Sequence, residues 1–188
     1  MAFIKRSFLL EKSRLVKSSY IKEAKTEAQI TVFLSHSHKD RELAEGFQNI
    51  LGEQGVSVYI DWQDSALPDS PNKKTAERLK QRIKELDLFI LLATDNSLSS
   101  RWCPWEIGIA DSSKEYDSIL IVPIVEDSGE FKGNEYLQLY RRIEITSIGD
   151  LVILEPHFGK YGEMLFTSQV SSYHGESLKT FLEKKARW

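Results

Sequence analysis

The stretch Leu88-Phe89-Ile90-Leu91-Leu92-Ala93, followed shortly by Ser99-Ser100-Arg101-Trp102-Cys103-Pro104-Trp105-Glu106-Ile107-Gly108-Ile109-Ala110, decides the fold. The first part is a continuous apolar run, as expected of a strand buried on both faces. The second opens a helix, with Ser99 or Ser100 as candidate cap and Pro104 in the first turn, where proline is tolerated. A strand running into a helix with little between is half of a parallel crossover unit. Trp102 and Glu106 are four residues apart and share one helical face, which Ile109 and Ala110 continue. A carboxylate among an indole and aliphatic side chains has left ordinary solvation behind, and the remaining chain is expected to build a pocket around it.

Working outward, the same alternation repeats. Ile30-Thr31-Val32-Phe33-Leu34-Ser35 is a β-branched, nearly continuous apolar strand. His36-Ser37-His38-Lys39-Asp40 turns into a helix with Leu43, Ala44, Phe47, Ile50 and Leu51 on its buried side and Asp40 as candidate cap. Gly52 and Gly55 end that helix. Val56 to Ile60 is the second strand. Residues 61 to 74 form a long loop with Pro68 and Pro71, and loops of this length in compact domains often carry function. A helix with Ala76, Leu79, Ile83 and Leu86 at helical spacing leads to the 88–93 strand. Ile119 to Val125 is a fourth buried strand, although Pro123 argues against a central place for it. Tyr136 to Arg141 reads as a short helix, Ile143–Ile145 and Leu151–Leu154 as short strands, and Ser177 to Lys185 as a closing helix. The order β-α-β-α-β-α-β predicts an α/β fold: an open parallel sheet with helices on both faces. Residues 1 to 28, with Ile4, Phe8, Leu15 and Ile21 at broken helical spacing, read as an N-terminal amphipathic helix preceding the main domain of 29–188.

The chain has 188 residues, 41% hydrophobic and 28% charged, with a net charge of −3. That balance fits one globular domain and supplies no basic excess for binding nucleic acid. The single cysteine, Cys103, excludes an internal disulfide and a multi-cysteine metal site. No apolar run reaches the roughly 18 residues of a membrane span, and Phe8-Leu9-Leu10 is too short for a signal-peptide core. A cytoplasmic protein without membrane or nucleic-acid partners is therefore expected.

In open parallel sheets ligands bind at the carboxyl ends of the strands. Ser35-His36, Asp61-Trp62, Thr94-Asp95-Asn96, Trp102 and Glu106 all fall at that edge, from well-separated parts of the chain. Each alone has an ordinary structural explanation: a paired glutamate, an edge tryptophan, a hydroxyl satisfying backbone groups. His36 and His38 lack an evident third ligand, so no metal site is expected. Cys103 reads as a buried, inert thiol. Phosphate-binding glycine-lysine, dinucleotide-binding glycine and nucleophile-elbow patterns are absent.

Three ordered motifs carry a resemblance. Val32-Phe33-Leu34-Ser35-His36-Ser37-His38-Lys39-Asp40 looks like the first box of TIR domains. Val58-Tyr59-Ile60-Asp61 with the proline-containing loop resembles their second strand and BB loop. Ser97-Leu98-Ser99-Ser100-Arg101-Trp102-Cys103-Pro104-Trp105-Glu106-Ile107 is similar to their S-x-W-C-x-x-E-(L/I) signature. The resemblance implies a flavodoxin-like open sheet and, in the enzymes of the family, cleavage of NAD at the nicotinamide–ribose bond. It places the catalytic glutamate at Glu106 and substrate contacts at Trp102, Phe33, Ser35 and Asp61, with NAD as substrate, no separate cofactor, and self-association through TIR–TIR contacts; Trp62, next to Asp61 at the same strand end, is a further candidate substrate contact. The product is ADP-ribose or a cyclic isomer, and the setting is bacterial antiphage defence. A non-catalytic module that acts only by binding other TIR domains is the alternative. The BB loop lacks the glycine that many members carry near its tip.

Overall fold

A computed structural model describes residues 1–15, 30–68, 70–127, 131, 133–156 and 175–186. Its centre is a sheet of eight strands, most of them parallel. The strands are β1 (Ile4–Lys5), β2 (Thr31–Ser35), β3 (Ser57–Tyr59), β4 (Leu88–Ala93), β5 (Ile119–Val125), β6 (Arg141–Ile145), β7 (Leu151–Leu154) and β8 (Glu176–Ser177). Among the described residues six α-helices accompany them: α1 (Arg6–Leu15), α2 (Arg41–Glu53), α3 (Lys73–Glu85), α4 (Asp95–Leu98), α5 (Cys103–Ser113) and α6 (Leu178–Lys185). The sheet order is β3-β2-β4-β5-β6-β7-β8, with β7 antiparallel to its neighbours. Its first five members are the doubly wound order 2-1-3-4-5, whose switch point lies between β2 and β4.

Strand periodicity assigns every core side chain to one of two layers. Val32, Leu34, Leu88, Ile90, Leu92, Leu120 and Val122 meet Leu43, Phe47 and Leu51 of α2 and Phe181 of α6 on one face. Phe33, Phe89, Leu91, Ala93, Ile119 and Ile121 meet Leu79 and Ile83 of α3 and Cys103, Ile107 and Ala110 of α5 on the other. Both faces are covered, which is why these strands read as unbroken apolar runs.

Several local expectations are corrected. Pro123 lies in a central strand. It falls between the part of β5 that pairs with β6, at Leu120 and Ile121, and the part that pairs with β1, at Ile124 and Val125. The missing N–H thus sits where one neighbour replaces another. Residues 136–141 do not form one helix: a 3₁₀ turn spans Glu135–Leu139, and Arg141 already belongs to β6. Asp40 does not cap α2 with its side chain. Its carboxylate instead accepts the Thr94 hydroxyl at 2.6 Å and the Asn96 amide at 2.8 Å, bonds that hold two turns at the same sheet edge. Gly55 closes α2 with φ +77°, a conformation that favours glycine.

The N-terminus does not begin as a helix. Ile4 and Lys5 pair in parallel with Ile124 and Val125, and the Ala2 backbone exchanges two hydrogen bonds of 2.9 Å with Ile145. Residues 2–5 thereby fill the split between the carboxyl ends of β5 and β6. The helix that follows, α1, crosses α2 closely at Gly46. Residues 16–28 of the expected N-terminal helix lie outside the described residues. Among the described residues no helix is long and apolar enough to cross a membrane.

Candidate functional site

Ser35 is the last residue of β2 and, two positions after Phe33, points to the α5 face of the sheet. Across from it, α5 begins just past the carboxyl end of β4. The expected serine does help to start this helix: Ser100 Oγ accepts the Trp102 N–H at 3.1 Å and the Cys103 N–H at 3.4 Å. The position called N-cap is nevertheless Trp102, with Pro104 in the first turn. One turn later the Glu106 N–H bonds the Trp102 carbonyl at 2.8 Å, which fixes the two side chains on the same end of the helix.

Glu106 is 4% exposed. Ser35 Oγ donates to its Oε2 at 2.6 Å. Burial raises its pKa to about 7; the serine bond lowers it in part, and the negative charge of Asp61 adds to the rise. A carboxyl group at the switch point of a parallel sheet, half ionised near neutral pH, is an unusual arrangement for a purely structural side chain. Trp102 is half-buried beside it and meets Trp105 edge to face, 5.4 Å between ring centroids.

Phe33 is fully covered. Its ring stacks on Tyr59 from β3 at 5.4 Å and on Phe89 from β4 at 5.7 Å, giving an aromatic row across three adjacent strands. It supports the sheet edge from beneath and presents no free face. Asp61 opens the loop after β3. Its Oδ1 accepts the Trp62 N–H at 2.8 Å, and its two oxygens lie 3.7 Å from the Nε2 atoms of His36 and His38. The His36 Nδ1 bonds the Leu34 carbonyl at 2.9 Å and therefore carries the proton, while burial favours the neutral ring. Trp62 stands apart from the glutamate. Its ring packs on the α2 side of the sheet, against His36 at 4.4 Å and under the Arg41 guanidinium at 5.2 Å.

The structure thus brings Ser35, Trp102 and Glu106 to one side of the switch point, with the charge of Asp61 acting on that group. The long loop is anchored at its base: Asp64 accepts the Tyr59 hydroxyl at 2.8 Å and the Arg78 Nε–H at 2.9 Å. Sequence reasoning missed the Asp40–Thr94–Asn96 cluster and its guanidinium partner Arg6. Asp40 sits at a helix start, where capping is the default expectation, and nothing in the sequence singles out Arg6.

Cys103 lies beside Glu106, and its thiol pKa is pushed up to about 12, first by burial and then by the glutamate charge. The native protein at pH 8 is expected to resist alkylation by iodoacetamide, and to react fully only after unfolding. Stoichiometric labelling of folded protein within minutes would contradict this burial.

Residues 32–152 match the family model of the TIR domain. A relative described as "Probable 3' cyclic ADP-D-ribose synthase ThsB'" from Bacillus cereus (strain MSX-D12) is 36% identical over 113 residues, 58% of each chain. Another, "Putative cyclic ADP-D-ribose synthase TIR2" from Cytobacillus dafuensis, is 30% identical over 106 residues, 55% of this chain and 27% of its own. The matches therefore span little more than half of the first relative and about a quarter of the second. With its sheet order, its three ordered motifs and a family match over most of its core, this chain belongs to the TIR domain family.

Proposed function

We propose that the protein cleaves NAD at the nicotinamide–ribose bond, and that the observation carrying this reading is the buried Glu106 carboxyl held by Ser35 at 2.6 Å. The two relatives named as cyclic ADP-D-ribose synthases support a cyclic ADP-ribose as product. The bond between the ribose C1′ and the pyridinium nitrogen breaks heterolytically, and the electron pair leaves with nicotinamide. Nicotinamide departs neutral, so no strong general acid is required. Positive charge accumulates on the ribose, where an ionised Glu106 stabilises it or holds the ribose hydroxyls. Ser35 fixes the carboxylate rotamer, and Trp102 offers a half-buried indole face to a flat ring. Asp61 borders the site and places a negative charge near the developing cation. Phe33 supports the floor, and Trp62 braces His36 and the Asp61 turn from the far side of the sheet. The cation is captured by a group of the same ADP-ribose, which loses its proton, or by water.

No separate cofactor enters this scheme. Self-association through TIR–TIR contacts, a cytoplasmic setting and a role in antiphage defence form part of the same proposal. A non-catalytic interaction module is the competing reading, and it predicts no nicotinamide release at any protein concentration.

Mass spectrometry of NAD incubated with concentrated protein is expected to show nicotinamide and an ADP-ribose product lighter by one water than linear ADP-ribose. The reaction uses the ionised glutamate, whose pKa stands near 7. Consequently kcat/KM is expected to rise about tenfold per pH unit below that value and to level above it. A rate independent of pH between 5 and 8 would remove Glu106 from the charge-stabilising role.

A further inference from the structure

We infer that Arg6, brought to the site by the N-terminal strand, is a positioning residue that acts through Asp40 on the turn leading to Trp102 and Glu106; its effect on turnover rests on the NAD-cleaving reading above. Asp40 is 1% exposed, so its charge has almost no access to water. Two neutral donors bind it: the Thr94 hydroxyl and the Asn96 amide. Its cationic neighbour is Arg6, whose Nη1 lies 3.4 Å from Oδ1. A buried carboxylate with neutral partners alone carries a large desolvation cost, and a guanidinium offsets much of it.

The partners of Asp40 are not peripheral. Thr94 Oγ1, which donates to Asp40, also accepts the Ser97 N–H at 3.0 Å, and Ser97 Oγ returns the bond from the Thr94 N–H at 2.9 Å. That reciprocal pair starts α4, and α4 runs through Ser99 and Ser100 into α5. On its other side Asp40 ends the segment that begins with Ser35, the donor to Glu106. One carboxylate therefore ties together the two segments that supply the glutamate and its serine.

Arg6 reaches Asp40 because residues 2–5 are zipped into the carboxyl edge of the sheet, between β5 and β6. Two further contacts hold it there. Ser7 donates to Asp127 at 2.5 Å, and the absent side chain of Gly46 admits the Leu9 backbone against α2. The guanidinium also lies 3.8 Å from Glu126, just past β5. On this view the N-terminal segment is part of the site's scaffold. It is a different thing from an extension laid on the surface.

The test compares Arg6→Gln and Arg6→Lys with the wild type in the full chain. Amide hydrogen exchange of residues 94–100 reads the turn without any need for activity. Steady-state NAD turnover reads the site. With Gln, exchange in that turn is expected to speed up severalfold and kcat to fall roughly tenfold, because small displacements of reacting groups are costly. The unfolding temperature is expected to fall by several degrees with Gln, because the buried Asp40 loses its cationic neighbour, while the protein stays fully folded at the assay temperature. Lys, which keeps the charge, is expected to restore most of both signals. The inference is overturned if exchange in the turn is unchanged, if Lys is as impaired as Gln, or if exchange speeds up equally throughout the protein and not in the turn first. Should the wild type not cleave NAD at all, the functional reading fails, while the exchange data still decide whether Arg6 holds the turn.

Discussion

Replacing Glu106 with glutamine is expected to lower NAD cleavage by at least about a hundredfold and, above neutral pH, to make the protein more stable. The two effects have one cause. Burial raises the carboxyl pKa from 4.5 to about 7. An acid whose folded pKa lies above its unfolded value holds its proton more tightly when folded. The folded state therefore loses stability as pH rises from 4.5 to 7, and the loss is complete above that window. The shift corresponds to about 3 kcal/mol at pH 8. Glutamine keeps the shape, can still accept the Ser35 hydroxyl, and never ionises. A gain of about 1–3 kcal/mol is expected at pH 8, several degrees in unfolding temperature for a chain of this size. At pH 5 the difference should largely vanish. Thermal unfolding of both proteins at the two pH values checks this, and an equal difference at both would show that ionisation of Glu106 is not its source. Stability given up at a site for the sake of a charged group is a common mark of function.

Gly46→Ala is expected to be the most damaging substitution of a single small residue. A Cβ there would lie 2.9 Å from the Leu9 carbonyl carbon and closer still to its oxygen. Both are backbone atoms, so no rotamer change can relieve the overlap. Either α1 moves away from α2 or the helix distorts. Leu9 and Ile4 are fully buried, so displacement of α1 also uncovers core. A loss of about 3 kcal/mol is expected, near the upper end for overpacking, and urea unfolding measures it. Gly52 on the same helix has open space around its Cα, so Gly52→Ala is the control and should cost little. Equal stabilities for the two variants would mean that α1 does not pack where the structure has it.

The central strands were legible because a buried parallel strand has one possible composition, and four such runs with helices between them leave few topologies. The pairing of Ser35 with Glu106 was legible only in outline. Period-2 alternation puts Ser35 on the same face as Phe33, and helical spacing joins Trp102 to Glu106, but neither tells which helix covers which face. The role of Asp40 is not legible in the sequence because capping is a local rule, whereas its partners lie 54 and 56 residues away. Trp62 follows Asp61 at the strand end, a position that suggests the site. A 3₁₀ turn at Asp61–Gln63 instead swings its ring to the α2 side. The pairing of the first residues is illegible for a related reason. Ile4 and Lys5 are too short a strand to leave a pattern, and what makes them one is a gap in a sheet formed by residues far along the chain.

That gap has a consequence for how the chain comes to be folded. On a ribosome residues 2–5 emerge long before their partners, which are Ile124, Val125 and Ile145. Ser7 and its partner Asp127 are 120 residues apart. The opening segment must therefore wait, unpaired, until nearly the whole domain has been synthesised. The entropy of closing so long a loop makes its docking a late event. A nascent chain interrupted before β5 would hold a formed β2–β4 core with its first strand still searching for a place.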